Sequence, residues 1–141
     1  VVELIIKVLK FDSSVLEIGC GNGAILNKLY DRGYRDLKGY DPSHSRGLKF
    51  VVKDYYKPDN EKFDLLILRH TIESIKYKTL VSIFENLSNS LKNSGKIYLE
   101  IMNAHNIVAN SLTYNLYHEY SQYFSEMCIP RHGEIVPTNR F

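Results

Sequence analysis

The first residues in this chain whose types and spacing could do chemistry are Val15-Leu-Glu-Ile-Gly-Cys-Gly-Asn-Gly23. A short buried strand, Ser14 to Ile18, runs straight into Gly19, Cys20, Gly21 and Asn22, and Gly23 hands over to an apolar-periodic helix. Glycines there let the main chain turn sharply and let a ligand approach it closely, while free N–H groups at the helix start attract a carboxylate or phosphate. Asp41, followed by Pro42, ends the next strand eighteen positions after Gly23. A carboxylate in that place can accept hydrogen bonds from both hydroxyls of a ribose. A nucleotide-like ligand belongs at this edge.

Glu17, two residues before Gly19, narrows the ligand class. A carboxylate suits a cationic amino-acid sulfonium and disfavours a pyrophosphate, and the Gly-x-Gly-x-Gly spacing differs from the dinucleotide Gly-x-Gly-x-x-Gly. The alternative for Glu17 is a carboxylate that caps local backbone. Further along, Arg69 and His70 follow an apolar strand directly, where a cleft should open. His70 could orient an acceptor or touch the donor, or it could simply pack. Arg69 could hold a phosphate, or pair with Glu73 at i,i+4. Tyr114, Tyr117, Tyr120 and Tyr123 recur at i,i+3, which one packed helix face would also explain.

The elements that must position these groups alternate between short apolar runs and amphipathic ones, the pattern of βαβ units and a parallel sheet. Val2, Ile5, Ile6 and Leu9 share a helical face. The periodicity predicts strands at Ser14 to Ile18, Asp36 to Tyr40, Phe50 to Val52, Phe63 to Leu68 and Lys96 to Ile101. A helix runs from Ala24 to Tyr30 until Gly33 ends it, and another runs through Leu80, Ile83, Phe84, Leu87 and Leu91 until Asn93-Ser94-Gly95. Tyr114 to Phe124 reads as a helix or an irregular lid. Asp64, at the start of its strand, lies at the wrong end of the sheet for a site and is assigned a structural role. The expected fold is a Rossmann-like, doubly wound, mainly parallel α/β sheet with helices on both faces.

With 141 residues and no internal repeat or linker, one domain over 1–141 is expected. The chain opens without Met in an apolar-periodic stretch and so reads as a piece of a longer one, with elements expected to be missing, above all at the carboxyl end. Lys and Arg number 18 against 16 Asp and Glu, a net charge of +2, which argues for a small-molecule acceptor and against a nucleic-acid or membrane surface. Cys20 and Cys128 lack metal-ligand spacing, and a disulfide from within the glycine turn would be awkward, so a reduced, cytoplasmic location is expected. His44, His105 and His132 show no metal spacing and receive no role, and no metal is expected.

Val15 to Leu26, taken with Gly39-Tyr40-Asp41-Pro42-Ser43, resembles motif I and the following acidic motif of the class I S-adenosylmethionine-dependent methyltransferases. Lys53-Asp54-Tyr55 matches the place where that family contacts adenine, although Asp54 is equally suited to capping a turn. Phe63 to Leu68 resembles its fourth strand, and Leu91-Lys92-Asn93-Ser94-Gly95-Lys96 resembles the turn before its fifth. The resemblance implies S-adenosylmethionine as cofactor, with Glu17, Gly19, Cys20, Gly21, Asn22, Asp41, Pro42, Asp54, Tyr55 and Arg69 as cofactor-binding candidates.

A narrower resemblance, carried by Leu68 to Ile75, Ile97 to Ile101 and Tyr117 to Ser125, is to the sugar C-methyltransferases. Those act on nucleotide-linked keto sugars by abstracting a proton beside the carbonyl. It implies Tyr117, His118, Glu119, Tyr120 and His70 as catalytic candidates, with Tyr120 standing where the group has His. Unperturbed Tyr, with pKa about 10, is a weak base at neutral pH. On a helix His118 would point about 100° away from that position. The group's cysteine-rich amino-terminal zinc segment and long carboxyl-terminal domain have no counterpart in these residues. Two other functions compete: a nicotinamide-dependent oxidoreductase, and a catalytically silent S-adenosylmethionine-binding module.

Overall fold

The computed structural model describes residues 1–44 and 47–125. Its centre is β1 (Val15–Ile18), which pairs in parallel with β2 (Leu37–Tyr40) on one side and β4 (Phe63–Arg69) on the other. β3 (Val51–Val52) extends the sheet beyond β2, and β5 (Leu91–Glu100) extends it beyond β4, giving the order β3-β2-β1-β4-β5, all parallel. Side chains alternate between the two faces of a strand. Val15, Leu65 and Ile67 pack under Val2 and Ile5 of α1 (Val2–Ile6) and Ile25, Leu26 and Leu29 of α2 (Ala24–Asp31). Leu16, Leu66 and Leu68 pack under Leu80 and Leu87 of α3 (Tyr77–Asn89). Both faces are covered, so β1 and β4 read as nearly continuous apolar runs. The strand order reverses between β1 and β4, and the carboxyl ends of both strands face the same edge, where such sheets bind ligands.

Three boundaries differ from the periodicity by more than one residue. α1 stops at Ile6, and Leu9 packs on the core from outside it. α3 ends at Asn89, because the buried Ser90 closes it with its N–H on the Asn86 and Leu87 carbonyls and its hydroxyl on Asn86 and Tyr56. Leu91 therefore begins β5, and Asn93-Ser94-Gly95 forms an irregularity inside that strand: the register jumps from Leu91 to Lys96 while β4 advances only from Phe63 to Leu65. A Cβ at Gly95 would stand 2.9 Å from the Phe63 carbonyl oxygen, so the close approach requires glycine.

Of the two readings for Tyr114 to Phe124, the structure takes the irregular one. After α4 (Ala104–Ala109) and a 3-10 turn at Thr113–Asn115, the chain pairs Asn103 with Phe124. The N–H groups of Ser121 and Gln122 both donate to the Glu73 carbonyl, at 2.7 and 3.2 Å, which diverts them from any helical partner. The Gln122 amide adds bonds to the Ile72 and Ile75 carbonyls at 3.1 and 2.8 Å. Tyr117, Tyr120 and Tyr123 still meet ring to ring, at 5.1 and 5.7 Å between centroids.

Leu66, fully buried in β4, tests this core directly. Leu66→Ala is expected to lower unfolding free energy by about 2–5 kcal/mol in urea titration. Val108→Ala, at a position 79% exposed, is expected to change it by less than about 0.5 kcal/mol.

Candidate functional site

The glycine turn after β1 is held by its own amides. Gly19 and Cys20 donate to the Tyr40 carbonyl at 2.8 and 3.3 Å, Gly23 donates to the Cys20 carbonyl at 2.8 Å, and Gly21 donates to Asp41 Oδ2 at 2.7 Å. These bonds join β1 to the end of β2, and the helix start expected to offer free N–H groups follows them, α2 opening at Ala24 with no side-chain cap. Gly19, Gly21 and Gly23 all have positive φ (71°, 54° and 68°), which a side chain would strain. A Cβ on Gly19 would collide with the Thr71 hydroxyl, which itself donates to the carbonyls of Ile18 and Arg69. At Gly21, by contrast, a Cβ would meet nothing within 4 Å, so the turn presents bare main chain to open space there.

Asp41 is buried, with Oδ1 accepting from the Ser43 N–H at 2.8 Å and the Ser43 hydroxyl at 2.5 Å. Burial alone would raise its pKa, but the bonds from Ser43 and Gly21 outweigh that and hold it below the ordinary carboxylate value. Oδ1 already accepts twice and Oδ2 once, so an ionised Asp41 keeps one acceptor site, on Oδ2, for a ribose hydroxyl. His44, assigned no role from sequence, is buried and braces the same turn. Its Nδ1 lies 2.9 Å from the Gly21 carbonyl, and its Nε2 accepts from the Leu48 N–H at 3.4 Å, which places the proton on Nδ1. Thr71 was also missed. A lone His or Thr in a loop gives no periodic signal.

Across the switch point, Arg69 pairs with Glu100 rather than Glu73, Nε to Oε2 at 2.9 Å and Nη2 to Oε1 at 3.4 Å. Arg69 and Glu100 stand opposite in the β4–β5 ladder, whereas the chain past Arg69 leaves the strand for a 3-10 turn at Ile72–Ser74, so i,i+4 helical spacing never forms. His70 has φ 50° and lies between two carboxylates, Nε2 3.3 Å from Glu100 and Nδ1 3.5 Å from the fully buried Glu73. Its pKa is raised to about 9 by the bond to Glu100 first and Glu73 second. His70 is therefore an imidazolium at neutral pH, neither a base nor a purely apolar packing residue.

Glu17 is 2% exposed, and its Oε2 has no hydrogen-bond partner among the described residues. Its alternative as a local backbone cap leaves that oxygen unexplained. Burial raises the Glu17 pKa to about 8, and the Cys20 thiol is pushed up to about 12 by burial, with Glu17 next. The structure thus brings Glu17, Gly19, Cys20, Gly21, Asp41, Arg69 and His70 to one edge, with Asn22 and Pro42 on its exposed rim.

Other candidates lie apart from that cluster. Asp54 is tied to Lys57 at 2.9 Å and to the Tyr55 N–H at 2.7 Å, the capped-turn arrangement, and Tyr55 is 70% exposed. The side chains of His118 and Glu119 face solvent at 91% and 64% exposure, 3.5 Å from each other. Tyr120 is half-buried, and burial, then the Glu73 charge, raises its pKa, which leaves less of the ionised form at neutral pH than free tyrosine has. Asp64 accepts from Ser14 and Lys92 at the amino end of β4, as its structural assignment requires. A cleft of about 370 Å³ lined by Ser14, Asp36, Lys38, Glu61 and Lys62 also opens at that amino edge, away from the glycine turn. Among the described residues no His, Cys, Asp and Glu group could hold a metal; Cys128 and His132 lie outside them.

These residues fit S-adenosylmethionine: open main chain at Gly21, an ionised acid at Asp41 for the ribose, and an unpartnered buried carboxyl oxygen at Glu17 for a cation. The His70 clamp makes its own test. Its charged form strengthens folding fully below the ordinary histidine pKa of about 6.5, and this contribution is lost as pH rises through about 9. Ring-proton NMR is expected to show the His70 midpoint well above neutrality, and Glu100→Gln is expected to bring it down by at least one pH unit, since Glu100 is the larger cause.

Comparison with known proteins places the chain in a family. Residues 2–131 match a family model described as a methyltransferase domain. A tRNA U34 carboxymethyltransferase of Campylobacter fetus subsp. fetus is 25% identical over 104 residues, 64% of this chain and 37% of that protein. A SAM dependent methyltransferase from Archaeoglobus fulgidus superposes with a TM-score of 0.68 at 17% identity, over 90% of this chain and 61% of that one. The plantazolicin methyltransferase BpumL, solved with SAH, superposes at 0.60 with 19% identity, over 85% of this chain and 49% of that one. The chain therefore spans less than two thirds of each of these proteins. On its match across nearly its full length, this chain belongs to the methyltransferase-domain family.

Proposed function

We propose that this chain is the donor-binding core of an S-adenosylmethionine-dependent methyltransferase acting on a small-molecule acceptor, a nucleotide-linked sugar in the first instance. The observation that carries the donor assignment is the turn at Gly21, open where a Cβ would be, flanked by the ionised Asp41 and the unpartnered Glu17. A solved neighbour is described as a complex with SAH, the donor after transfer, which supports the same reading. The Gly19-x-Gly21-x-Gly23 spacing, unlike the dinucleotide Gly-x-Gly-x-x-Gly, counts against a nicotinamide cofactor.

When bound, the donor supplies an electrophilic methyl group whose sulfonium charge is lost in transfer. The chain's part is to orient and dehydrate. Main chain at Gly21 and the Asp41 carboxylate would seat the nucleoside, while Tyr117 to Tyr123, tied to Glu73 by Ser121 and Gln122, stand over the same edge as His70. The sugar assignment rests on the likeness of Leu68 to Ile75 and Tyr117 to Ser125 to the sugar C-methyltransferases and on the near-neutral net charge. The tRNA substrate named for one relative belongs to a protein of which this chain covers 37%.

Proton abstraction in the manner of that group would need a base that these residues do not offer: His70 is an imidazolium, Tyr120 is held protonated, and His118 faces solvent. That observation favours a second reading, a module that binds the donor without transfer.

Asp41→Ala is expected to weaken S-adenosylmethionine binding about tenfold or more in calorimetry, from lost charge-assisted hydrogen bonds of about 1.5–3 kcal/mol; unchanged affinity contradicts the donor site. Labelled methyl transfer into nucleotide sugars, with wild type and Tyr120→His, separates the two readings. The sugar methyltransferase gives incorporation that rises severalfold with the histidine, whereas tight donor binding without incorporation in either protein is the silent module.

A further inference from the structure

Glu17 occupies an electrostatic position that the donor alone would complete. Strand alternation and the ladder put Ile67 opposite Glu17, Arg69 two residues beyond Ile67, and Tyr98 and Glu100 opposite those two on β5. Glu17, Arg69, Tyr98 and Glu100 therefore share the sheet face covered by α1 and α2, close to the carboxyl edge. Around Glu17 the charged and titratable groups are Asp41 from the end of β2, Cys20 in the turn, Arg69 from β4 and Glu100 from β5, with the Tyr98 hydroxyl bound to Glu100 at 3.2 Å. α2 packs the apolar Ile25, Leu26 and Leu29 into this region.

Arg69, the cation facing Glu17, has two guanidinium nitrogens on Glu100, and His70 beyond it lies between Glu100 and Glu73. Glu17 Oε2 is left buried without a partner among the described residues. An ionised carboxylate in that condition carries a desolvation penalty that an adjacent charge must offset. A proton removes the penalty, and so would a cation brought by a ligand.

We propose that Glu17 is protonated in the donor-free protein and releases that proton when S-adenosylmethionine, which carries a sulfonium and an ammonium, enters beside it. The inference rests on the donor assignment above. The proton passes from the Glu17 carboxyl to solvent, and no bond of the donor changes. Burial places the donor-free Glu17 near pH 8, with Arg69 opposing that rise and Asp41 and Glu100 adding to it. Because the folded value is raised, neutral Glu17 favours folding fully below the ordinary value of 4.5, and this contribution is lost as pH climbs through about 8. Donor binding runs the other way, tightening with pH up to the same point.

Calorimetry of S-adenosylmethionine binding at pH 6 to 7, in buffers of differing ionisation enthalpy, reads the proton directly. The donor's own ammonium, with a pKa near 8, stays charged across that window. Expected are the release of most of one proton per site and an affinity that rises about five- to tenfold from pH 6 to 7. Glu17→Gln, checked for folding by circular dichroism, is expected to bind with no proton release and no pH dependence. A carbon-13 titration of the Glu17 carboxyl in the wild type gives the same answer without a variant: a midpoint near 8 when empty, falling when loaded. Wild-type binding with no proton exchange, a Gln variant that still releases a proton, or a Glu17 carboxyl already ionised at pH 6 overturns the proposal. No donor binding at any pH overturns the donor assignment itself.

Discussion

The hydrogen bond from the Gly21 N–H to Asp41 is the contact on which the rest of the site depends. It joins the turn after β1 to the end of β2, so that two neighbouring strand ends move as one piece. His44 reinforces the joint from beneath through the Gly21 carbonyl, and Thr71 presses on Gly19 from the β4 side. Three loops from three strands thereby fix one bare stretch of main chain. The parallel sheet makes this possible, because parallel strands bring all their carboxyl ends to a single edge.

That joint also explains the glycines individually. Gly19 is required because Thr71 leaves no room for a side chain, Gly23 because α2 starts from a left-handed residue, and Gly21 because its φ of 54° would strain one. The first two meet packed neighbours, while a Cβ at the third would stand in open space. The electrostatics divide in a similar way. Arg69 and Glu100 pair across the ladder and His70 lies between Glu100 and Glu73, while Oε2 of Glu17, like Oε2 of Glu73, is buried without a hydrogen-bond partner among the described residues.

Much of this was legible in the sequence, for physical reasons. The strands of a sheet covered on both faces are apolar runs, and an amphipathic helix repeats every three to four residues, so β1, β2, β4 and α2 declare themselves. A glycine turn between strand and helix is legible because few other residues tolerate positive φ there. The end of α3 was not, because Leu91 continues the helical spacing, while the bonds of Ser90 to the Phe63 N–H and the Tyr56 hydroxyl are made across the fold. Residue charge states were not legible either. His70 reads in sequence as an orienting or packing residue and becomes an imidazolium through Glu100, thirty positions away and brought near by ladder pairing. The tyrosine repeat matched a helix face, yet the Glu73 carbonyl captures the amides that a helix would use.

The proposed donor lies on the main chain between Gly19, Gly21 and Asp41. Amide NMR of the full chain with and without S-adenosylmethionine tests it most directly. The account predicts that the largest shifts fall on Gly19, Gly21, Ser43 and Thr71, with Ser14, Lys38 and Lys62 at the opposite edge unmoved. Shifts centred on that opposite edge, or none near Gly21 at saturating donor, would contradict it.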